Sequence, residues 1–139
     1  MIFYTDMVAD LFHYGHLNYL KAIYDMKKEG DIFIVGIHND EDTLSYKRTP
    51  VLTMEERIKV LEGCKYIDKI IPNSPITKTK EYIDLHKIDI MFTPSNRTDD
   101  EMKLMLEVPY NLGIVRRIPY TPSISTTDII KRIKDRNDL

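Results

Sequence analysis

The sequence predicts an α/β domain with a mostly parallel five-stranded sheet and helices on both faces. Three observations predict it. Strand-like and helix-like segments alternate five times along the chain, as in repeated βα units. The run Ile32-Phe33-Ile34-Val35-Gly36-Ile37 is apolar without strict alternation, as expected of a strand covered on both faces. Helix-start patterns recur as Thr53 with Glu56 and Thr98 with Glu101, each the spacing of a capping box.

In chain order, Ile2, Phe3 and Tyr4 open a short buried strand that ends at Asp6. From His16 to Lys28, Leu17, Leu20, Tyr24 and Ala22 or Ile23 recur at helical spacing, and Gly30 is expected to stop that helix. The second strand is Ile32 to Ile37. A helix from Thr53 to Glu62 follows, with Ile58, Val60 and Leu61, then a short strand from Lys69 to Ile71 before Pro72. Helix signals resume from Lys78 to His86. Ile88, Ile90, Met91 and Phe92 form a fourth strand ending before Pro94, since a residue preceding proline is held extended. Thr98 opens a helix rich in Met and Leu that stops before Gly113. Ile114, Val115 and Ile118 make the fifth strand, and Ser125 with Asp128 caps a last helix through Ile129, Ile130 and Ile133. Ligands of such sheets bind beyond the carboxyl ends of the strands, so the loops after strands one, two, four and five are the places for chemistry.

A length of 139 residues with 42% hydrophobic side chains fits one domain, 1–139. Twenty basic against 22 acidic residues leave a net charge of -2, which gives no basic footprint for nucleic acid. Cys64 is the only cysteine. It excludes an internal disulfide and a multi-cysteine zinc site, and agrees with a reducing, cytoplasmic setting. No stretch approaches the roughly 20 apolar residues of a membrane span, and the start has no signal-peptide pattern. A soluble protein with no stable membrane anchor is expected.

The first strand leads into His13-Tyr14-Gly15-His16 at the start of a helix. A helix N-terminus offers free N–H donors and partial positive charge, which favour phosphate. Two imidazoles three residues apart can bracket phosphate oxygens, and Gly15 permits close backbone approach. The alternatives are a plain cap or a metal pair, but two histidines do not complete a zinc site and no Glu completes a metalloprotease pattern. Ser125, Thr126 and Thr127 present hydroxyls and N–H groups at another helix start, for phosphate or simply as an N-cap. His38 and His86 read as structural or surface residues, and Cys64 as core.

Asp10-Leu11-Phe12-His13-Tyr14-Gly15-His16, Ile34-Val35-Gly36-Ile37 with Asp40 and Glu41, Lys47, Thr53 to Arg57, Lys65-Tyr66-Ile67-Asp68 and Ile124-Ser125-Thr126-Thr127 together resemble the cytidylyltransferases. That family includes the choline-phosphate, ethanolamine-phosphate and glycerol-3-phosphate enzymes, and the likeness covers nearly the whole chain. The stretch Asn73 to Asp89 looks closer to the choline and ethanolamine branch. The resemblance implies a Rossmann-like nucleotidyltransferase domain, a homodimer, and transfer of CMP from CTP to a small phospho-alcohol for phospholipid synthesis. It implies Mg²⁺ bound through the CTP phosphates and no protein metal site. It also implies catalytic roles for His13, His16 and Lys47, the last in a loop after strand two. Without the resemblance Lys47 would read as one more solvated base. Nucleotide binding is implied for Asp10, Phe12, Gly15, Arg57, Ile124, Ser125, Thr126 and Thr127.

The chain departs from the family pattern at several places. Met7 and Ala9 stand where relatives carry Gly and an aromatic residue, and Thr93 to Asn96 where they carry His or Gly followed by acidic residues. Tyr120 stands where they have Arg, so Arg97 or Arg117 is expected to substitute. Lys65 and Lys69 replace the ends of an Arg-Tyr-Val-Asp-Glu signature. Ile76 lies where relatives often place an aromatic residue, and aromatic faces hold quaternary ammonium. Phosphoethanolamine or another phospho-alcohol is therefore expected over phosphocholine. Two further readings are a catalytically impaired nucleotide-binding homologue and a transferase using ATP or glycerol 3-phosphate.

Overall fold

In the computed structural model, which describes residues 1–139, the strands are β1 (Ile2–Met7), β2 (Ile32–Ile37), β3 (Lys69–Ile71), β4 (Ile90–Pro94) and β5 (Val115–Ile118). They lie in the order β3-β2-β1-β4-β5, and every neighbouring pair is parallel. The chain builds outward from β1 to β3, then returns to place β4 on the other side of β1. That reversal opens a crevice above the carboxyl ends of β1 and β4, the usual place for a ligand in such a sheet.

The helices are α1 (Tyr14–Tyr24), α2 (Asp40–Tyr46), α3 (Met54–Glu62), α4 (Lys80–Leu85), α5 (Asp99–Asn111) and α6 (Thr126–Asp135). Side chains alternate across a strand, and two cores result. Phe3, Phe33, Val35 and Ile37 pack with Leu20 and Ile23 of α1 and Leu61 of α3. Tyr4, Ile34 and Met91 pack on the opposite face with Ile83 of α4 and Met102, Met105 and Leu106 of α5. Both faces of β2 are therefore buried, which is why its sequence reads as an unbroken apolar run.

The caps fall where the sequence puts them. Thr53 accepts from Glu56 N–H at 3.2 Å while Glu56 Oε1 accepts from Thr53 N–H at 2.9 Å. Thr98 accepts from Glu101 N–H at 3.1 Å, and Ser125 from Asp128 N–H at 3.0 Å.

Several elements differ from expectation: β4 begins at Ile90 and runs through Pro94, α1 opens at Tyr14, and three further differences bear on the site. First, α1 ends at Tyr24 with Asp25 as its cap, not at Gly30, which sits beyond it at φ +86°. Past Ile23 no residue before Gly30 reaches the core, so nothing rewards another turn. Second, α2 has no counterpart among the expected elements, because Thr43 is its only buried residue. It forms because Asn39 accepts from Asp42 N–H at 2.7 Å and three acidic residues occupy its first turn, where the helix dipole favours them. Third, α4 starts at Lys80, leaving Lys78 buried ahead of it. Pro109 inside α5 cannot donate to the carbonyl of Met105. Lys78 N–H donates there instead, at 3.1 Å, and this seats the Lys78 side chain.

Candidate active site

A cavity of about 700 Å³ opens above the carboxyl ends of β1, β2 and β4. Its wall on the β1 side is the loop into α1, which passes through left-handed backbone at Ala9 (φ 58°) and Leu11 (φ 47°). His13 is the N-cap of α1, and its Nδ1 accepts from Gly15 N–H at 3.0 Å. His16 Nδ1 accepts from His13 N–H at 3.1 Å. Each neutral ring must then carry its proton on Nε2. The rings stack with centroids 3.9 Å apart. Burial, then the charges of His13 and Lys47, push His16 down to about 3, and burial lowers His13 as well. Near neutrality the helix start thus presents two uncharged N–H donors.

The last helix holds this pair in place. Thr126 Oγ1 donates to the Asp10 carbonyl at 2.9 Å and lies 3.4 Å from His13 Nε2. Ile124, buried, packs beside Gly15, where an added Cβ would lie 2.8 Å from His13 Cε1 and 3.2 Å from Ile124 Cγ2. Glycine is required there by the seat of the imidazole. Ser125 also lines the cavity, but its hydroxyl is engaged as the cap of α6.

Cations stand along the cavity wall. Lys47 is the C-cap of α2 and not part of a free loop; its N–H donates to Thr43 O at 2.9 Å and its Nζ lies 5.6 Å from the Tyr46 ring centroid. Although Lys47 is an exposed residue, the setting of its ammonium, first by desolvation and then by Arg97, lowers its pKa. Arg48, which sequence reasoning passed over despite its place beside Lys47, donates to Thr127 Oγ1 at 3.2 Å. Arg97 lines the cavity and donates to Glu101 Oε2 at 2.9 Å. Arg117 lies exposed on β5 and is not among the lining residues.

Four expected contacts are placed otherwise. Arg57 is wholly buried and donates to the carbonyls of Val8 (2.6 Å), His38 (3.0 Å) and Leu52 (3.2 Å) and to Asp40 Oδ1 (2.6 Å). A guanidinium spent in this way braces loops, and Arg57 is not among the residues that line the cavity. Asp10 lines the cavity, but its carboxylate accepts from Val51 and Leu52 N–H at 2.8 and 2.9 Å. Phe12 stacks behind His16 at 5.5 Å and packs on the core. Ile76 packs against the Tyr4–Met91 core and does not line the cavity.

A buried charged cluster at the cavity floor escaped the sequence reading. Asp6 pairs with Lys78 and lies 3.0 Å from His38 Nε2. Burial raises the Asp6 pKa, but Lys78 and His38 outweigh it and hold the carboxyl well below its usual range. Burial lowers the Lys78 pKa and Asp6 opposes it. Asp6 was readable as the end of the first strand and His38 as a structural residue, which its burial fits; Lys78 carried no signal.

A family model described as cytidylyltransferase-like matches residues 5–132. The chain is 38% identical over 140 residues to choline-phosphate cytidylyltransferase 2 of Arabidopsis thaliana, covering 96% of this chain and 45% of that protein. It is 35% identical to the ethanolamine-phosphate cytidylyltransferase of Mus musculus, covering 94% of this chain and 32% of that one. The chain thus spans less than half the length of these relatives. Among solved structures, a lipopolysaccharide core biosynthesis protein from Thermoplasma volcanium superposes with a TM-score of 0.67 at 22% identity, covering 87% of this chain and 96% of that one. At that identity the likeness speaks for the fold alone.

Proposed function

The chain belongs to the cytidylyltransferase-like family, and from that premise we propose that it transfers CMP from CTP to a small phospho-alcohol of the phosphocholine or phosphoethanolamine type. Pyrophosphate leaves, and the product is a CDP-alcohol for phospholipid synthesis. The observation that carries this reading is the pair of Nε2–H donors of His13 and His16 at the start of α1, facing Lys47, Arg48 and Arg97 across one cavity.

An oxygen of the acceptor phosphate attacks the α-phosphorus of CTP in line, and the bond to the pyrophosphate oxygen breaks. No protein nucleophile is needed. Charge grows on the equatorial and leaving oxygens, so fixed donors and cations are the useful groups. His13 and His16 serve as neutral donors, backed by the helix dipole. Lys47 supplies a point charge that can reach both phosphates, and Arg97 takes the place of the arginine that Tyr120 replaces.

The carboxylates along the cavity are each engaged: Asp6 by Lys78 and His38, Asp10 by two N–H groups, Glu101 by Arg97. That donor set fits a Mg²⁺ that arrives with the CTP phosphates and keeps water as its other ligands. When bound, it neutralises triphosphate charge. No helix is long and apolar enough to cross a membrane; a cytoplasmic setting and a homodimer belong to the same proposal.

Pyrophosphate release from CTP with Mg²⁺ tests the reading, run with phosphocholine, phosphoethanolamine and glycerol 3-phosphate and with His16→Ala as the blank. Acceptor-dependent release, lost by about 10² or more in the blank, is expected. Release that survives the substitution would refute the role of His16. Tyr120 and the uncharged Ser95-Asn96 segment favour a second reading, a homologue that binds nucleotide without turnover. CTP binding with no release for any acceptor would establish it.

A further inference from the structure

His38 is the point where two buried polar networks meet, and both end on the helix that leads to Lys47. Its carbonyl accepts from Arg57 Nη1 at 3.0 Å, and Nη2 of that guanidinium donates to Asp40 Oδ1 at 2.6 Å in the first turn of α2. Its imidazole, 1% exposed, lies between Asp6 Oδ2 (3.0 Å from Nε2) and the Tyr46 hydroxyl (2.7 Å from Nδ1) in the last turn of α2. Asp6 is fixed from the other side by Lys78, whose ammonium also donates to Ile76 O at 2.6 Å. The Lys78 backbone is in turn tied to Met105 O in α5 at 3.1 Å. An ionised Asp6 only accepts, so His38 Nε2 must carry a proton, and the ring has one orientation. Burial pushes the Tyr46 phenol up, so its hydroxyl keeps its proton.

A seven-residue helix with one buried residue is too short to persist unaided. It therefore depends on its two tethers. Arg57 holds its first turn, and Tyr46 through His38 holds its last, next to Lys47. We propose that His38 and Tyr46 are positioning residues for Lys47: the buried Lys78–Asp6 pair fixes His38, His38 fixes the end of α2, and α2 sets the Lys47 ammonium over the cavity. The inference rests on the reading of the cavity as a nucleotidyl-transfer site in which Lys47 acts on phosphate.

Tyr46→Phe is the test, because it removes one oxygen and keeps the ring that faces Lys47 Nζ. A misplaced charge of this kind is expected to lower kcat/KM for CTP about tenfold. In a Lys47→Ala background the same substitution should change nothing beyond about twofold, since its effect passes through Lys47. Equal losses in both backgrounds, or no loss in either, would overturn the positioning role. Exchange of the Lys47 amide hydrogen, bonded to Thr43 O at 2.9 Å, supplies a readout that needs no turnover. It should quicken in Tyr46→Phe while amides of β1 and β4 keep their rates, and an unchanged rate would overturn the tether. Failure of the native chain to release pyrophosphate with any acceptor would count against the transfer reading alone, and the exchange measurement would still decide the tether.

Discussion

Replacing Arg57 by Met separates two accounts of this residue, a phosphate contact and a loop brace. Methionine keeps an unbranched stem of similar length and removes every donor. Three carbonyls, those of Val8, His38 and Leu52, then lose their partner, as does Asp40. Orphaning a buried acceptor costs about 1 to 3 kcal/mol, while Asp40, with 41% of its side chain exposed, recovers solvation from water. Taking the low end for each carbonyl, and noting that removal of one member of a buried polar pair costs about 3 to 5 kcal/mol, the expected loss is about 4 kcal/mol. For a chain of this size each kcal/mol lowers Tm by about 3 to 4 °C, so the melting point should fall by about 12 to 16 °C. Thermal unfolding followed by circular dichroism would measure it, and CTP affinity would be measured at a temperature where the variant is still folded. Affinity should stay within about threefold of native. A variant that melts within about 2 °C of native but binds CTP at least tenfold more weakly would refute the brace and restore the phosphate contact.

Acid should weaken the fold earlier than carboxylate titration alone would. His16 binds protons less readily folded, at about 3, than unfolded, at about 6.5, so the unfolded state takes up more protons between those values. Its contribution is present above about pH 6.5 and is lost as pH falls toward 3; His16→Gln should flatten the urea midpoint between pH 6.5 and 4.5, and an unchanged slope would contradict the half-buried neutral imidazole. Arg97→Gln should lower kcat by about 10² if its charge replaces the missing family arginine, whereas Arg117→Gln should have little effect; steady-state rates in the reverse order would reverse the assignment. Thr126→Val removes the hydroxyl between the Asp10 carbonyl and His13; it should cost turnover about tenfold and, by leaving one carbonyl without its donor at about 1 kcal/mol, lower Tm by about 3 to 4 °C.

The parts of the fold that were readable in the sequence are those fixed by near neighbours. Thr53 and Ser125 accept from the third residue ahead, and β2 announces itself because both its faces are buried. What was unreadable depends on distant partners. The α2 segment has a single buried residue and no periodicity, and its last turn is tied to His38 by the Tyr46 hydroxyl. Arg57 has the same local setting whether it meets phosphate or three carbonyls, and two of those carbonyls lie 49 and 19 residues away. His13-Tyr14-Gly15-His16 stood out because its work is done within four residues of helix start. Arg48 and Lys78 did not, since a basic residue in a loop carries no mark of what it faces.

The charges along the cavity show how a chain with a net charge of -2 can still take a polyanion. Its acidic side chains there are already committed within the protein, Asp6 to Lys78 and His38, Asp10 to the 51–52 backbone, and Glu101 to Arg97. Lys47 and Arg48 have no carboxylate partner, and two N–H donors point from the positive end of α1. With Lys78 beneath the floor, four cations stand against three carboxylates, so the local balance is cationic although the total is not, and walls of low dielectric concentrate the field. Arg97 differs from the other two because Glu101 holds it in place when no nucleotide is bound, at the cost of part of its charge. An arginine restrained in this way acts through orientation more than through net field. The lysine, by contrast, has no acceptor of its own and depends on the helix it caps for its position. The division of labour follows from which cations have partners: Arg97 is set by an ion pair, the histidines by backbone N–H groups, and Lys47 by the tether of α2.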